Sequence, residues 1–476
     1  MTYGAVSEQL GKTSGTSLIV DDLLPERRRW TRQVFHRRPG GAMIGGVTGV
    51  EEPVRTDLPA ARSTDDNGLG GRFWRFWSAS AVSNLADGIV KVALPLVAVG
   101  YTRSPLLVAG TATALSLPWL LFALPAGALV DRLDRRRVML AANTGRATLI
   151  GALALAVLLD SGSIWLLYLV AFGVGIAETL YDTSAQSILP QLVTRRELPR
   201  ANGRLAAVEL TANQFVGPPL AGFLIAVGVV SALAGPAVLW AVAVGALLLV
   251  TGRFRVTRDT PTTVRADIVE GLRFLWRHRL LRTLATMVGI SNFITTAIFA
   301  VLVLYAVGPD SAVGLTGPGY GILLTTVAAG IVLGSVATGR IEQRLGRARA
   351  LAASLLGMAA VVGVPAVSTD PFVIGSVFFV GGILSAAWNV ITISLRQRIT
   401  PDLLLGRVNS GYRMLAWGSM PAGALVGGLL AEVFGLRAVF AIMGVLTLTL
   451  LLGMFEVTDA NIEAAERDAA NRDGTT

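Results

Sequence analysis

Among the ionisable residues inside apolar runs, four stand deepest. Asp87 and Lys91 lie in LADGIVKVALPLV, Arg146 in ANTGRATLIGALALAVLL, and Glu178 in VGIAETLYD. A charge among aliphatic residues is costly unless it is paired or does work. Asp87 and Lys91 are four residues apart, so a helix places them on one face, in reach of an ion pair. Burial favours the protonated acid and a nearby cation favours the ionised one, so a carboxylate drawn both ways suits proton exchange. Asp87 therefore reads as a coupling site, a substrate contact, or half of a static pair that positions its helix. Glu178 reads as a site for a proton or a cationic ligand, or as the neutralising partner of Arg146. Asn292, Tyr305, Trp388 and Asn389 give the second part of the chain polar and aromatic surface without acids. Asn292, Trp388 and Asn389 are its cavity candidates.

Composition narrows the chemistry further. The chain has no cysteine, which removes disulfides, thiolate metal sites and thiol nucleophiles. Its two histidines, His36 and His278, fall outside the apolar runs, so proton traffic inside them must rest on carboxylates. No metal site, cofactor or nucleotide loop of the form G-x-x-x-x-G-K-[ST] is expected. Only 15% of residues are charged and the mean hydropathy is +0.61, against about 25% charged in soluble proteins. The net charge of +10 rests on arginine, since Lys12 and Lys91 are the only lysines. In so apolar a chain that excess points to loops at a membrane surface rather than to nucleic acid.

The elements that must position these residues are membrane helices. Twelve apolar segments follow a polar stretch, at 77–100, 106–130, 138–159, 164–189, 205–229, 232–250, 284–307, 319–338, 351–367, 372–395, 408–434 and 439–455. Each approaches the roughly 20 residues that cross a bilayer. Arginines cluster in the turns after the even segments, as at Arg132 to Arg137, Arg195 to Arg200, Arg340 to Arg349 and Arg396 to Arg407. The other turns carry few, Arg103 and Arg437 among them. The positive-inside rule then puts both termini in the cytoplasm. Residues 1–71 read as a disordered cytoplasmic tail with no signal peptide, 72–252 as a first six-helix half, and 253–282 as a cytoplasmic linker. Residues 283–456 form a second half and 457–476 a cytoplasmic tail. In the linker, Ile268, Leu272, Leu275 and Trp276 share one helical face, opposite Asp267, Glu270, Arg273 and Arg277. Such a helix lies along a membrane surface or along the cytoplasmic ends of helices, as a connector that anchors the two halves.

A repeat runs through the series. Gly127 and Gly334 stand 207 residues apart, as do Gly175 and Gly382, while Gly217 and Gly423 stand 206 apart. The near-constant offset argues for two halves of like topology with a site between them.

These features resemble the major facilitator superfamily over about residues 73–455. The turn motif G-x-x-x-D-R-x-x-R-R supplies Gly127, Asp131, Arg132, Arg135 and Arg136, with Asp134 where the family usually has glycine. The stretch NQFVGPPLAG is similar to the antiporter motif of exporters, with Gly217, Pro218 and Gly222 matching. NLADGIVKVALPLVA and EGLRFLWRHRLLR resemble the enterobactin-exporter and macrolide-efflux-like bacterial branch. The resemblance implies an all-α fold of twelve transmembrane helices in two six-helix halves, in a bacterial inner membrane. It implies a secondary active transporter, a proton-coupled exporter of small amphipathic compounds working by alternating access. It is no enzyme; its partners are protons, a small molecule and the bilayer, without nucleic acid, and it acts as a monomer. A dedicated siderophore or metabolite exporter is the alternative, and a non-transporting scaffold or receptor the alternative of another class. The turn motif is expected to latch the cytoplasmic gate. Asp131 would sit near a neighbouring helix N-terminus, and Arg135 or Arg136 would pair with Asp182. Glu209 is expected near the inner end, paired with Arg204 or Arg413.

Overall fold

The computed structural model describes residues 69–252, 254 and 264–473, of 124, 128, 131, 195, 264–268, 402, 403 and 473 the backbone only. The expected N-terminal tail therefore lies outside the described residues, save its last three. Twelve described helices are long and apolar enough to cross a bilayer. The first six are α1 (Gly70–Tyr101), α2 (Pro105–Arg132), α3 (Arg135–Leu158), α4 (Ile164–Ile188), α5 (Leu198–Val227) and α6 (Val229–Leu248). A surface helix, α7 (Val264–Arg277), follows. The second six are α8 (Arg279–Ala306), α9 (Gly317–Leu345), α10 (Arg347–Val367), α11 (Pro371–Ile399), α12 (Leu404–Phe434) and α13 (Leu436–Phe455). Last comes α14 (Asp459–Asp473).

Side chains start several of these helices. Ser104, Asp134, Ser163, Thr316 and Asp370 each accept a backbone N–H from the first turn of the next helix. This satisfies donors that a helix start leaves open. The arginine-bearing turns share one end of the bundle, here the basic rim; the turns near Ser104, Thr316 and Gly435 share the opposite rim.

The sequence repeat appears as repeated packing. In the first half Gly175 of α4 lies against the α2 backbone at Leu115 and near Pro118. In the second, Gly382 of α11 lies against α9 at Val327 and Gly330. Likewise Gly217 of α5 meets Gly88 of α1, and Gly423 of α12 meets Phe293 of α8. The first and fifth helices of each half thus approach at backbone distance where only glycine fits: a Cβ on Gly88 would come 2.7 Å from the Asn213 carbonyl oxygen. Beside Gly88, α5 widens into a π-helical stretch, Thr211–Val216. Such bulges recur at functional sites.

The linker helix differs from expectation at Trp276, while the side chains of Asp267 and Ile268 lie outside the described residues. Leu275 is buried and Leu272 packs near Gly411 of α12, but Trp276 is half exposed. The buried side is that of Gly271 and Leu275, with Gly271 so tight against α12 that a Cβ there would come 2.1 Å from the Arg407 carbonyl oxygen. Glu270 pairs with Arg407 at 2.6 Å, so α7 is moored to the second half. The expected C-terminal tail is also structured. In α14, Ile462, Ala465 and Ala469 are buried, and Glu466 bridges Arg347 at 2.9 Å and Arg398 at 3.3 Å. Asp459 accepts from the Ala348 backbone N–H. The helix clasps the starts and ends of α10, α9 and α11 at the basic rim.

Candidate functional site

A cavity of about 520 Å³ lies between the halves. Its first-half wall carries Asp87 and Lys91 of α1, Glu178 and Asp182 of α4, and Glu209 of α5. The second half contributes Thr295, Thr296 and Phe299 of α8 and Trp417 of α12. Trp119 of α2 meets Trp417 edge to face across the divide, with ring centres 4.5 Å apart. The space is thus acidic on one side and aromatic or hydroxylic on the other. Polar groups converging in a mainly apolar pocket are the usual form of a small-molecule site.

Four of the sequence's candidate residues meet here, but they pair differently from the expected scheme. Arg146 Nη1 donates to Asp87 Oδ1 at 2.5 Å, and Lys91 Nζ lies 3.0 Å from Glu178 Oε1. Asp87 does not pair with its i+4 neighbour, and Glu178 does not pair with Arg146. The reason is the approach of α3 and α4 to α1. Arg146 comes in fully buried, while Lys91 extends into the cavity with nearly half its side chain exposed. The guanidinium lies over the Tyr181 ring at 4.7 Å and the Trp240 ring at 5.3 Å. Aromatic faces stabilise a desolvated cation. Around it, Tyr181 and Ser80 hydroxyls are 3.4 Å apart and Ser83 donates to Asn143 at 3.2 Å. Removing one member of such a buried pair strands the other charge, which costs about 3–5 kcal/mol.

Asp182 also departs from expectation. It faces the cavity one turn below Glu178, not the turn motif. Arg136 instead donates to the Leu247 and Leu248 carbonyls at 3.0 and 2.9 Å, capping α6 within its own half. Arg135 is buried, Arg132 is exposed, and the side chain of Asp131 lies outside the description. The expected contact of Asp131 with a neighbouring helix therefore falls outside it too. Gly127 lines a smaller pocket with Trp119, Thr183 and Arg413. Glu209 was expected beside Arg204 or Arg413, but Arg204 lies over Trp74 and Arg413 donates to Gln186 across the halves at 2.8 Å. Glu209 is on the cavity wall instead. Among the second-half candidates, Asn292 donates to the Ala416 carbonyl at 2.7 Å and braces α8 on α12. Trp388 packs against the core and Asn389 is exposed, bonded to its own helix. These three do not line this cavity. Sequence reasoning gave no cavity role to Asp182, Glu209, Trp119 or Trp417. The i+4 spacing of Asp182 from Glu178 was the signal for the first.

Of the antiporter-like residues, Gly217 packs on Gly88, while Pro218 and Gly222 act at the opposite rim. Gly222 of α5 sits on the backbone of Gly317 at the start of α9, and Gly321 sits on Pro218. The pseudo-equivalent contact joins Gly428 of α12 to Leu106 and Ala109 of α2. Beside it, Glu432 Oε2 accepts from Ser104 Oγ at 2.8 Å and from the Leu106 N–H at 3.3 Å. Here the halves touch through backbone; towards the basic rim they meet through side chains.

Comparison with known proteins agrees with this architecture. The family model of transmembrane secretion effectors matches residues 70–474. The multidrug efflux pump Tap of Mycolicibacterium fortuitum is 29% identical over 405 residues, 80% of this chain and 93% of that protein. Macrolide efflux protein A of Streptococcus pyogenes is 25% identical over 171 residues, covering 36% of this chain and 42% of that protein. The nucleoside transporter NupG superposes with a TM-score of 0.63 at 13% identity, covering 81% of this chain and 98% of that one. A bacterial homologue of the iron transporter ferroportin, in an inward-facing state, gives 0.63 at 15% identity, covering 81% and 98%. The chain belongs to the transmembrane secretion effector family of major facilitator superfamily transporters, and is an integral membrane protein rather than an enzyme.

Proposed function

We propose that this chain is a proton-coupled exporter of amphipathic, preferentially cationic compounds, working by alternating access as a monomer in a bacterial inner membrane. The observation that carries the reading is the pair of crossed ion bridges on one cavity wall, Asp87–Arg146 and Lys91–Glu178. The wall holds four carboxylates, and the two bridging cations answer two of them; Asp182 and Glu209 have no hydrogen-bond or ion-pair partner among the described residues. A proton arriving at Asp87 removes the charge that holds Arg146, which frees α1 to shift against α3. A cationic substrate competes with Lys91 for Glu178. Proton and substrate thus draw on the same acids, which favours exchange of one for the other. The aromatic side, with Trp119, Phe299 and Trp417, receives the lipophilic body of the substrate.

Direction follows from charge. With the arginine-rich rim in the cytoplasm and both termini there, closure at the opposite rim makes this the cytoplasm-facing state, ready to load substrate for export. The relatives named for multidrug and macrolide efflux support that direction. An acid-rich wall disfavours a dedicated exporter of anionic siderophores.

The test is accumulation of cationic dyes and macrolides in a pump-deficient bacterium, with the protein or an empty vector. Lower accumulation, reversed by an uncoupler, is the expected result. Equal accumulation in both for cationic and neutral amphiphiles alike would overturn the multidrug reading. Lowered accumulation that persists with the uncoupler would overturn proton coupling.

A further inference from the structure

A second large space lies away from the central cavity. α2 and α3 both pack on α4 and leave a gap between them. The gap is a groove of about 870 Å³. Its floor and sides are apolar and small, with Ala141, Ala142, Gly145, Gly173 and Ala177 beside Leu149 and Leu180. At the basic rim its mouth carries Arg132, Asp134 and Arg137. From Arg137 to Leu149 the groove follows α3 for about 18 Å at ~1.5 Å per residue. That is close to the depth of one leaflet of a hydrocarbon core about 30 Å thick.

Among the described side chains, the charges at the mouth do not cancel. Asp134 is already engaged: Oδ1 accepts from the Arg136 and Arg137 N–H groups at 3.0 and 3.3 Å, and Oδ2 from the Phe254 N–H at 3.2 Å. Arg132 and Arg137 are exposed, and neither guanidinium has an ion-pair or hydrogen-bond partner among the described residues. The central glycine is unfilled: a Cβ on Gly145 would meet nothing within 4 Å. Two guanidinium groups with no partner among the described residues thus stand at the mouth of an apolar slot about one acyl chain deep. Guanidinium matches a phosphate diester in geometry and charge.

We propose that this groove binds an anionic phospholipid, its phosphate between Arg132 and Arg137 and one acyl chain along Gly145 and Gly173. The bound lipid fills the gap between α2 and α3 and holds the start of α3 at the basic rim. The site is independent of the transport reading, since it shares no residue with the central cavity.

Native mass spectrometry of the detergent-purified full chain tests this, titrating phosphatidylglycerol or phosphatidylcholine with the same acyl chains. About fivefold per arginine at the membrane surface gives about a twenty-five-fold preference for phosphatidylglycerol. The double variant Arg132→Gln/Arg137→Gln should lose that preference and still bind both lipids weakly. Gly145→Leu, which fills the slot and leaves both arginines, should weaken both lipids. Its unchanged size-exclusion profile confirms folding. Equal affinity for the two lipids would overturn the proposal, as would a preference that survives the double variant. Displacement of phosphatidylglycerol by millimolar glycerol phosphate, with Gly145→Leu indifferent, would show a site for free phosphate alone and overturn the lipid.

Discussion

In the first six helices the charges are inside; in the second six they are at the edge. Arg146 is fully buried against Asp87 and two aromatic rings, with Lys91 and Glu178 beside it. The repeated contacts of Gly217 on Gly88 and Gly423 on Phe293 lead from Asp87 and Lys91 to Asn292 and Thr296, and the 207-residue offset leads from Arg146 and Glu178 to Ala353 and Ser385, all uncharged. The second half instead ties its ions at the basic rim, through Arg347, Arg398, Glu342 and Glu466, with α14 as the clasp. One scaffold used twice thus separates two tasks. The first half buries its ionisable groups between helices and along the cavity wall. The second presents a stable apolar partner whose ion pairs are solvated and worth little individually.

The largest expected effect comes from breaking the buried pair. Arg146→Ala leaves Asp87 unpaired and should destabilise the protein by about 3–5 kcal/mol, read as a drop in melting temperature in detergent. The double variant Asp87→Leu/Arg146→Leu leaves this site uncharged, like its second-half counterpart, and should recover most of that loss. No recovery in the double variant would break the comparison. The next effect concerns the rim contacts that join the halves. Gly222→Leu would overlap the Gly317 backbone and should disfavour closure at the opposite rim. The chain has no cysteine, so a single cysteine introduced at that rim reports the change by faster labelling with a membrane-impermeant maleimide. Unaltered labelling would show that this closure does not depend on glycine packing. A smaller effect is expected at the clasp. Glu466→Ala removes the partner of two arginines, one largely exposed, and should cost about 1 kcal/mol. Hydrogen exchange should then rise in α14 and not in α3.

The smallest effect is a pH dependence outside the spans. Burial, then the charge of Arg472, holds the His278 imidazole below its ordinary value of 6.5. The unfolded chain therefore binds a proton more readily than the folded one, and stability falls as pH drops below about 6.5. His278 Nδ1 is also positioned to accept from the Leu281 N–H, which needs the neutral ring. His278→Gln should flatten the decline in melting temperature between about pH 7 and about pH 5; an unchanged slope would assign it to other groups.

Much of the fold was legible because its determinants are local. Hydropathy marks the spans, and the glycine offsets mark the repeat that reappears in Gly217 on Gly88 and Gly423 on Phe293. The ionic site was legible in its members and not in its wiring. The spacing of Asp87 and Lys91 allowed a pair, but which cation reaches Asp87 depends on how α3 docks on α1, and no spacing encodes that. Asp182 was assigned to the turn motif by its nearness in sequence to the rim, while helix rotation carries it to the Glu178 face. The helix α14 lacks hydropathy; its signal is the weaker one of Ile462, Ala465 and Ala469 at helical spacing. Trp119 and Trp417 carry no motif, since two apolar rings on different helices become a wall only when the halves meet.

The central claim, that protons act through the ionic network of the first half, is tested most directly in proteoliposomes with Asp87→Asn. Uphill uptake of a cationic dye driven by an imposed pH gradient is compared with dye exchange at equal pH. The account predicts that Asp87→Asn loses gradient-driven uptake and keeps exchange. Gradient-driven uptake at the wild-type rate in this variant would contradict it.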